Sequence, residues 1–393
     1  MRHVCYVGNR NCDNGYGVMG HGFTTELVKM GVELSPHEAT DAKVDPVIVF
    51  GAPTNHVQSW WEGQRTHIIT MWETALIPAS FRASLDCYDT LLVPSEQNLE
   101  MFSQYHPDVK HVALGVDTEK WKPTPRKDGR FTFLSLANSP RKGADVVVKA
   151  FEKVFGDGGG TVQLVMLDPR HHVKDRPGVI LIHDIISEAE VIAHYEAAHC
   201  YLGPSRGEGF GFQPLQAMAQ GIPTILTAAH GQIQFSDLAI GISAGFSQSY
   251  GFVHGEAGQW WEPDFDELCE AMADVYTNYG PHAARAWENA QVVRDKWSWR
   301  PATERLIAAL GDLDGEPIPA LEQRRPTDRL YPLRVNKEVK CHIGGVNFHF
   351  RPGGHDDHYA DAYGVVPDVK RVIYDAGYLD ESCWDPTETG VKV

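Results

Sequence analysis

The chain has 393 residues, 42% hydrophobic and 22% charged, which gives room for two ordinary domains plus an appendage, each with its own core. A formal net charge of −17 argues against nucleic-acid binding through a broad basic surface, while leaving room for a local basic groove. No apolar run is long enough to span a bilayer, MRHVCYVGNRNCDNGYG lacks a signal-peptide apolar core, and the seven cysteines are scattered without CxxC pairs, so the expectation is a soluble, cytoplasmic protein in a reducing compartment.

The first part alternates short apolar runs with helical patterns, as parallel α/β units do. HVCYVGN (3–9) predicts a strand, followed by a glycine-rich turn and a helix ending near Gly31. PVIVFGAP (46–53), THIITMW (66–72) and TLLVPS (90–95) read as further buried strands. SEQNLEMFSQY (95–105) predicts a helix capped by Ser95, and HVALGVD (111–117) closes this half. WKPTPRKDGR (121–130), with two prolines and mixed charge, suits a linker.

A second series opens with strand FTFLSLAN (131–138) and helix GADVVVKAFEKVF (143–155), then strands TVQLVMLD (161–168) and VILIHD (179–184). Helix SEAEVIAHYEAAH (187–199), strand CYLGPS (200–205), helix PLQAMAQ (214–220) and strand PTILTA (223–228) follow. Three helices, 263–279, 281–297 and 302–310, end the series. The whole predicts two doubly wound α/β domains, which bind ligands outside the carboxyl ends of their strands, here in the cleft between domains. From residue 311 the pattern changes: VKCHIGGVNFHFRPGG suggests a hairpin and PDVKRVIYDAGYL a short helix, a separate small module.

Chemistry concentrates in SRGEGFGFQPLQAMAQG (205–221), where a strand ends, a loop carries Arg206, Glu208, Gly209 and Gly211, and a helix begins near Pro214. A helix N-terminus offers unpaired N–H groups to an anion, and glycines let a ligand approach the backbone. Glu208 and Gln216 can then face one ligand through carboxylate and amide, the alternative being a surface turn before a buried helix. In SLANSPRKG (135–143), Arg141 can grip phosphate oxygens as a fork and Lys142 adds a point charge, so the pair beside a helix start can neutralise a diphosphate leaving group; an exposed basic turn is the alternative. NGYGVMG (14–20) formally matches GxGxxG, but RNCDN separates it from the strand and no acidic residue ends a second strand at the required distance, so a glycine turn under the cleft is preferred to a dinucleotide fingerprint. Trp72 and Glu73 end a strand, where ligand residues belong, although a capping Glu beside a core Trp reads equally well. HDDH (355–358) lacks the spacing of a helical metal site and reads as a solvated loop.

In order along residues 1–310, NGYG, LLVPSEQNLEMF, LGVDTEKWKP, PRKGADVVVKAF, GPSRGEGFGFQPLQAMAQGIPTI, WWEPDFDELCEAM and WSWRPATERLIAAL together resemble the GT-B-fold, retaining nucleotide-sugar glycosyltransferases of the family 4 type (glycosyl transferases group 1). The resemblance implies two Rossmann-like domains facing a cleft: an acceptor-side domain over 1–122, a nucleotide-sugar domain over 123–285, helices 286–310 crossing back, and the appendage 311–393. It assigns Glu208, Arg141 and Lys142 to catalysis, with Gly15, Gly17, Asn138, Asp184, Gly209, Phe210, Gly211 and Gln216 on the donor and Trp72, Glu73 and His56 toward the acceptor. It further implies a UDP- or GDP-linked sugar as co-substrate, no cofactor and no metal, and front-face attack in which the leaving phosphate helps take the acceptor's proton.

Two departures matter. The family usually carries an arginine at the position of Ala137, which only Arg141 could replace, and the second acid of its E-x7-E pattern is Gln216, the residue that would meet the ribose. A glutamine carbonyl still accepts a hydroxyl, at a loss of about 1 kcal/mol against a carboxylate. These changes motivate a different reading, a degenerate nucleotide-sugar or glycan binder without turnover; a nicotinamide-dependent oxidoreductase would rest on GxGxxG alone. The tail resembles small modules of phage virion proteins, which implies a viral enzyme in the host cytoplasm acting on a virion protein, a glycan or a hydroxylated DNA base, with no integral membrane association.

Overall fold

The structure, a computed structural model, describes residues 3–8, 10, 14–36, 46–53, 64–125, 129–137, 139–248 and 258–311, together with the strands 331–333, 339–343, 346–350 and 362–365. His56, Asn138, HDDH (355–358) and the helix expected over 367–379 lie outside the described residues.

The first half comprises β1 (His3–Val7), α1 (Gly15–Lys29), β2 (Glu33–Pro36), β3 (Val47–Phe50), β4 (Thr66–Ile69), α2 (Ala79–Leu85), β5 (Thr90–Val93), α3 (Glu96–Phe102) and β6 (Val109–His111). Its sheet runs β2-β1-β3-β4-β5-β6 with every pairing parallel. β3, β4 and β5 are buried at every position, as continuous apolar runs require when both faces are covered. Asn14 caps α1 by accepting from the Gly17 N–H at 2.9 Å, and Ser95 caps α3 by accepting from the Asn98 N–H at 3.3 Å.

One strand was not expected. β2, with the sequence ELSP, is a short edge strand whose proline fits an edge and whose composition carries no strand signal. HVALGVD (111–117) closes this half as expected: His111 ends β6, and Val112, Ala113, Leu114 and Val116 are buried in the loop that follows, where the Val116 N–H donates to the Trp297 carbonyl at 2.8 Å.

The second half carries β7 (Phe131–Ser135), α4 (Ala144–Phe155), β8 (Val162–Leu167), β9 (Val179–Ile182), α5 (Glu188–Ala197), β10 (Cys200–Gly203), α6 (Phe212–Ala219), β11 (Thr224–Thr227), a 3₁₀ segment (His230–Leu238) and β12 (Ile240–Ile242). Its parallel sheet runs β12-β11-β10-β7-β8-β9, so the strand order reverses between β7 and β10. At such a reversal the loops leaving neighbouring strands depart to opposite sides and open a crevice. An antiparallel ribbon of β13 (Ala244–Gln248) and β14 (Gln259–Pro263) follows, then α7 (Phe265–Thr277), α8 (Tyr279–Trp297) and α9 (Trp299–Leu310).

α9 returns to the first half. Trp299 meets Phe23 of α1 edge-on at 5.2 Å, and Lys110 donates to the Ala309 carbonyl at 2.8 Å. One apolar cluster includes Phe23 and Leu27 of α1, Phe210 and Leu215 of the ligand loop and its helix, and Leu306 and Leu310 of α9. The two halves therefore share core. In the tail, β15 (Tyr331–Leu333) pairs antiparallel with β18 (Ala362–Val365), and β16 (Val339–Ile343) with β17 (Val346–Phe350), the latter being the expected hairpin.

Candidate active site

The loops after β7 and β10 meet at the strand-order reversal, and each feeds a helix whose N-terminus has no side-chain cap. Gly143 begins α4 at φ +79° and Gly211 begins α6 at φ +107°, left-handed conformations that only glycine adopts cheaply. Gly143 has a second constraint, since a Cβ there would collide with the Pro204 carbonyl. Uncapped N-termini leave amides and a partial positive charge at the ends of these two loops.

Charged side chains converge there. Lys142 Nζ donates to Glu208 Oε1 at 2.5 Å and to Gln213 Oε1 at 3.2 Å. The Arg141 guanidinium donates to the Gly207 carbonyl and lies 3.7 Å from Glu208 and 3.9 Å from Glu73, which comes from the other half of the molecule. A cavity of about 190 Å³ is lined by Ala137, Lys142, Ser205, Glu208, Gln213 and Gln232 among others.

Burial works against the Glu208 charge, but Lys142 and then Arg141 more than offset it and hold the carboxyl down at about 2. Burial also lowers Lys142, with Glu208 opposing and the neighbouring Arg141 guanidinium adding repulsion. Glu73 moves the other way: burial raises it, Arg141 only partly restrains it, and Glu208 repels it. The cluster therefore holds a firmly ionised Glu208 between two cations, and a second carboxyl inclined to take up a proton.

The surrounding scaffold is tightly built. Arg206 is buried, and its guanidinium donates to Glu262 (Nε to Oε2, 2.7 Å; Nη2 to Oε1, 2.7 Å) and to Asp145 (Nη1 to Oδ1, 2.7 Å). It thereby ties the loop to α4 and to β14. His230 donates from Nε2 to the Ser205 carbonyl at 2.9 Å, and the Gly231 N–H donates to the Glu208 carbonyl at 2.8 Å. Burial pulls the His230 imidazole down to about 4, against the raising effects of the Ser205 bond and Glu208, so it is neutral and fixed as a donor.

From the first half, residues 71–73 press directly on this loop. A Cβ on Gly207 would strike the Glu73 carbonyl, and one on Gly209 would sit 2.6 Å from Met71 Cβ. The glycines here admit backbone from the opposite half. Asn98 Oδ1 accepts from the Trp72 N–H at 2.7 Å, and the Trp72 indole N–H donates to the Leu76 carbonyl at 2.7 Å, which fixes the 72–76 loop.

The structure thus brings Arg141, Lys142, Glu208, Gly209 and Glu73 together. Gly15 faces the Phe212 ring across the halves, and Phe210 is core, stacked edge-on against Phe235 at 5.3 Å. Trp72 is buried against Phe81 at 4.9 Å, while Asp184 is exposed after β9. Gln216 sits one turn into α6, which starts at Phe212 rather than at Pro214, and it does not line the cavity; Gln213 does. Sequence reading passed over Gln213, Asp145, Glu262 and His230, because a lone polar residue carries no spacing signal and His230 is one of 19 histidines.

Two parallel sheets with flanking helices, as in its structural neighbours, place the fold in the GT-B class. Residues 95–306 match the model of the Family 4 Glycosyltransferase in conflict systems, and the chain belongs to that family. Its fold is similar to that of trehalose-6-phosphate from E. coli bound with UDP-2-fluoro glucose (TM-score 0.59, 11% identity, 80% of this chain and 100% of that one). It is also similar to that of the sucrose-phosphate synthase from Thermosynechococcus elongatus (TM-score 0.57, 12% identity, 78% and 97%). In sequence it is similar to the MMP alpha-(1->4)-mannosyltransferase of Mycolicibacterium hassiacum, 26% identical over 181 residues (43% of each chain). The D-inositol 3-phosphate glycosyltransferase of Mycobacterium leprae is 25% identical over 228 residues (52% of this chain, 50% of that one). The chain spans about half the length of these curated relatives. No helix among the described residues is long and apolar enough to cross a membrane.

Proposed function

We propose that this chain transfers a sugar from a UDP- or GDP-linked donor to an acceptor hydroxyl with retention of configuration and without a metal. The observation that carries this reading is the small cavity where Lys142 meets an ionised Glu208 beside the uncapped start of α6, with the Arg141 guanidinium 3.7 Å from the same carboxylate. A diphosphate entering the crevice would replace carboxylate oxygens as partner of the two cations, which then stabilise the charge that develops as it departs. Glu208 is released to accept from sugar hydroxyls. The Gln213 amide, which both donates and accepts, lies beside it. The bond from the sugar anomeric carbon to the diphosphate oxygen breaks, the bond to the acceptor oxygen forms on the same face, and the acceptor's proton passes to the departing diphosphate.

In this reading residues 1–122 carry the acceptor side through Glu73, with Trp72 a core residue that holds the 72–76 loop rather than an acceptor contact, 123–285 hold the donor, and 286–310 join the two. Gln216, outside the cavity, suits a ribose beyond the diphosphate, as Asp184 suits the nucleoside end. Arg141 takes the part of an arginine at position 137, because its guanidinium already reaches Glu208. The viral setting, and an acceptor drawn from a virion protein, a glycan or a hydroxylated base, belong to the same proposal and rest on the tail.

The test is release of nucleoside diphosphate from a set of UDP- and GDP-sugars, with the anomer of the product read by NMR. Wild type is expected to release it with retention, and Glu208→Gln to lower kcat about 100-fold, the order of loss for one preorganised hydrogen-bond partner of the reacting sugar. No release from any donor would reduce the protein to a nucleotide-sugar binder, and an inverted anomer would overturn the retaining step.

A further inference from the structure

The β13–β14 ribbon lies against both lips of the active-site crevice. The Trp261 N–H donates to the Arg206 carbonyl at 2.9 Å, and the Ala75 N–H, from the loop that carries Trp72 and Glu73, donates to the Gln259 carbonyl at 3.1 Å. In the antiparallel register Phe246 opposes Trp261, and Gln259 lies two residues before Trp261, so these three fall on one face of the ribbon. The Trp261 ring bridges inside and outside. On one side it meets the buried His230 ring at 5.6 Å, and on the other the Phe246 ring at 5.7 Å with a 46° tilt. Phe246 is 66% exposed, although aromatic rings of that size normally find cover, and Gln259 is exposed beside it.

The charge pattern of the two faces narrows what could sit there. Glu262 belongs to the opposite face, where Arg206 and the Ser247 hydroxyl hold it. Among the described residues, the five ribbon positions of the aromatic face, Ala244, Phe246, Gln259, Trp261 and Pro263, include no ionisable residue. A single-stranded nucleic acid site needs cations along the backbone besides aromatic rings. A neutral pyranose needs what this face has: a ring face for its C–H groups, drawn by the negative π cloud, and an amide that both donates to and accepts from hydroxyls.

We propose that Phe246, Trp261 and Gln259 form an acceptor subsite that stacks a neutral sugar ring at the mouth of the crevice, making the acceptor a glycan. This rests on the transferase reading for its purpose, but not for its test. Binding of neutral trisaccharides (maltotriose, mannotriose and chitotriose) to the full chain is followed by Trp fluorescence without donor, and nucleoside diphosphate release from the donor set is measured alongside. At least one trisaccharide is expected to bind wild type, about tenfold more weakly to Phe246→Ala and with restored affinity to Phe246→Tyr, since loss of one stacking partner is of that order. Release of nucleoside diphosphate into water should stay within a factor of about two in both variants, because neither touches the donor cavity. Equal trisaccharide binding by wild type and Phe246→Ala, or no binding to wild type, overturns the subsite. So does an oligothymidylate whose binding, and not that of the sugars, is lost in Phe246→Ala. Absence of donor turnover with sugar binding intact would sink the transferase reading and leave the subsite standing.

Discussion

At the scale of single residues, the site depends on side chains that hold others in place. Arg206 and His230 touch neither cavity cation through their side chains, yet they fix the backbone on both sides of Gly207 and Glu208. His230 also gives the site a pH signature. Burial pulls its imidazole down to about 4 in the folded chain from the 6.5 of a free imidazole, so between those values the unfolded chain binds a proton that the folded one does not. Its contribution is thus complete above pH 6.5 and is lost as the pH falls toward 4. His230→Asn is expected to flatten the decline of unfolding free energy across that window, as followed by denaturant titration at several pH values. An unchanged slope would show that the imidazole is not held neutral. Glu208 acts lower down, since its depressed carboxyl loses its contribution only as the pH falls from about 4.5 toward about 2.

At the scale of elements, tolerance is set by how closely α1 and α9 approach. Gly22 of α1 faces Trp299 of α9, and a Cβ there would fall within the indole ring. Gly22→Ala is expected to cost about 1–3 kcal/mol of stability by overpacking, measurable as a lowered denaturation midpoint with unchanged dependence on denaturant. A neutral result would mean that the helices are free to separate. Elements whose periodicity is strong were legible from sequence: the apolar runs of β3, β4 and β5, the helix α4 behind its glycine, and the Ser95 cap. Elements fixed by partners far along the chain were not. β2 and β12 are short edge strands, and the β13–β14 ribbon is interrupted by residues 249–257, so neither pattern nor turn chemistry marked them. HVALGVD has the composition of a strand but spends its apolar residues against the returning helices.

At the scale of the whole molecule, the crevice is assembled from both halves, with residues 71–73 against residues 207–209. The motif residues Arg141, Lys142 and Glu208 were legible in advance because chain order and glycine spacing place them at the ends of β7 and β10. Their pairing with one another, and the arrival of Glu73 from the first half, depend on tertiary packing that no local pattern encodes. The central claim is that these two cations receive the donor's diphosphate. Calorimetric titration of wild type and Lys142→Ala with UDP and GDP tests it most directly. At least one nucleotide is predicted to bind wild type and to bind the variant at least about tenfold more weakly, as loss of a charge-assisted contact implies. Equal affinity of the two proteins for that nucleotide, or no binding of either nucleotide to wild type, would contradict it.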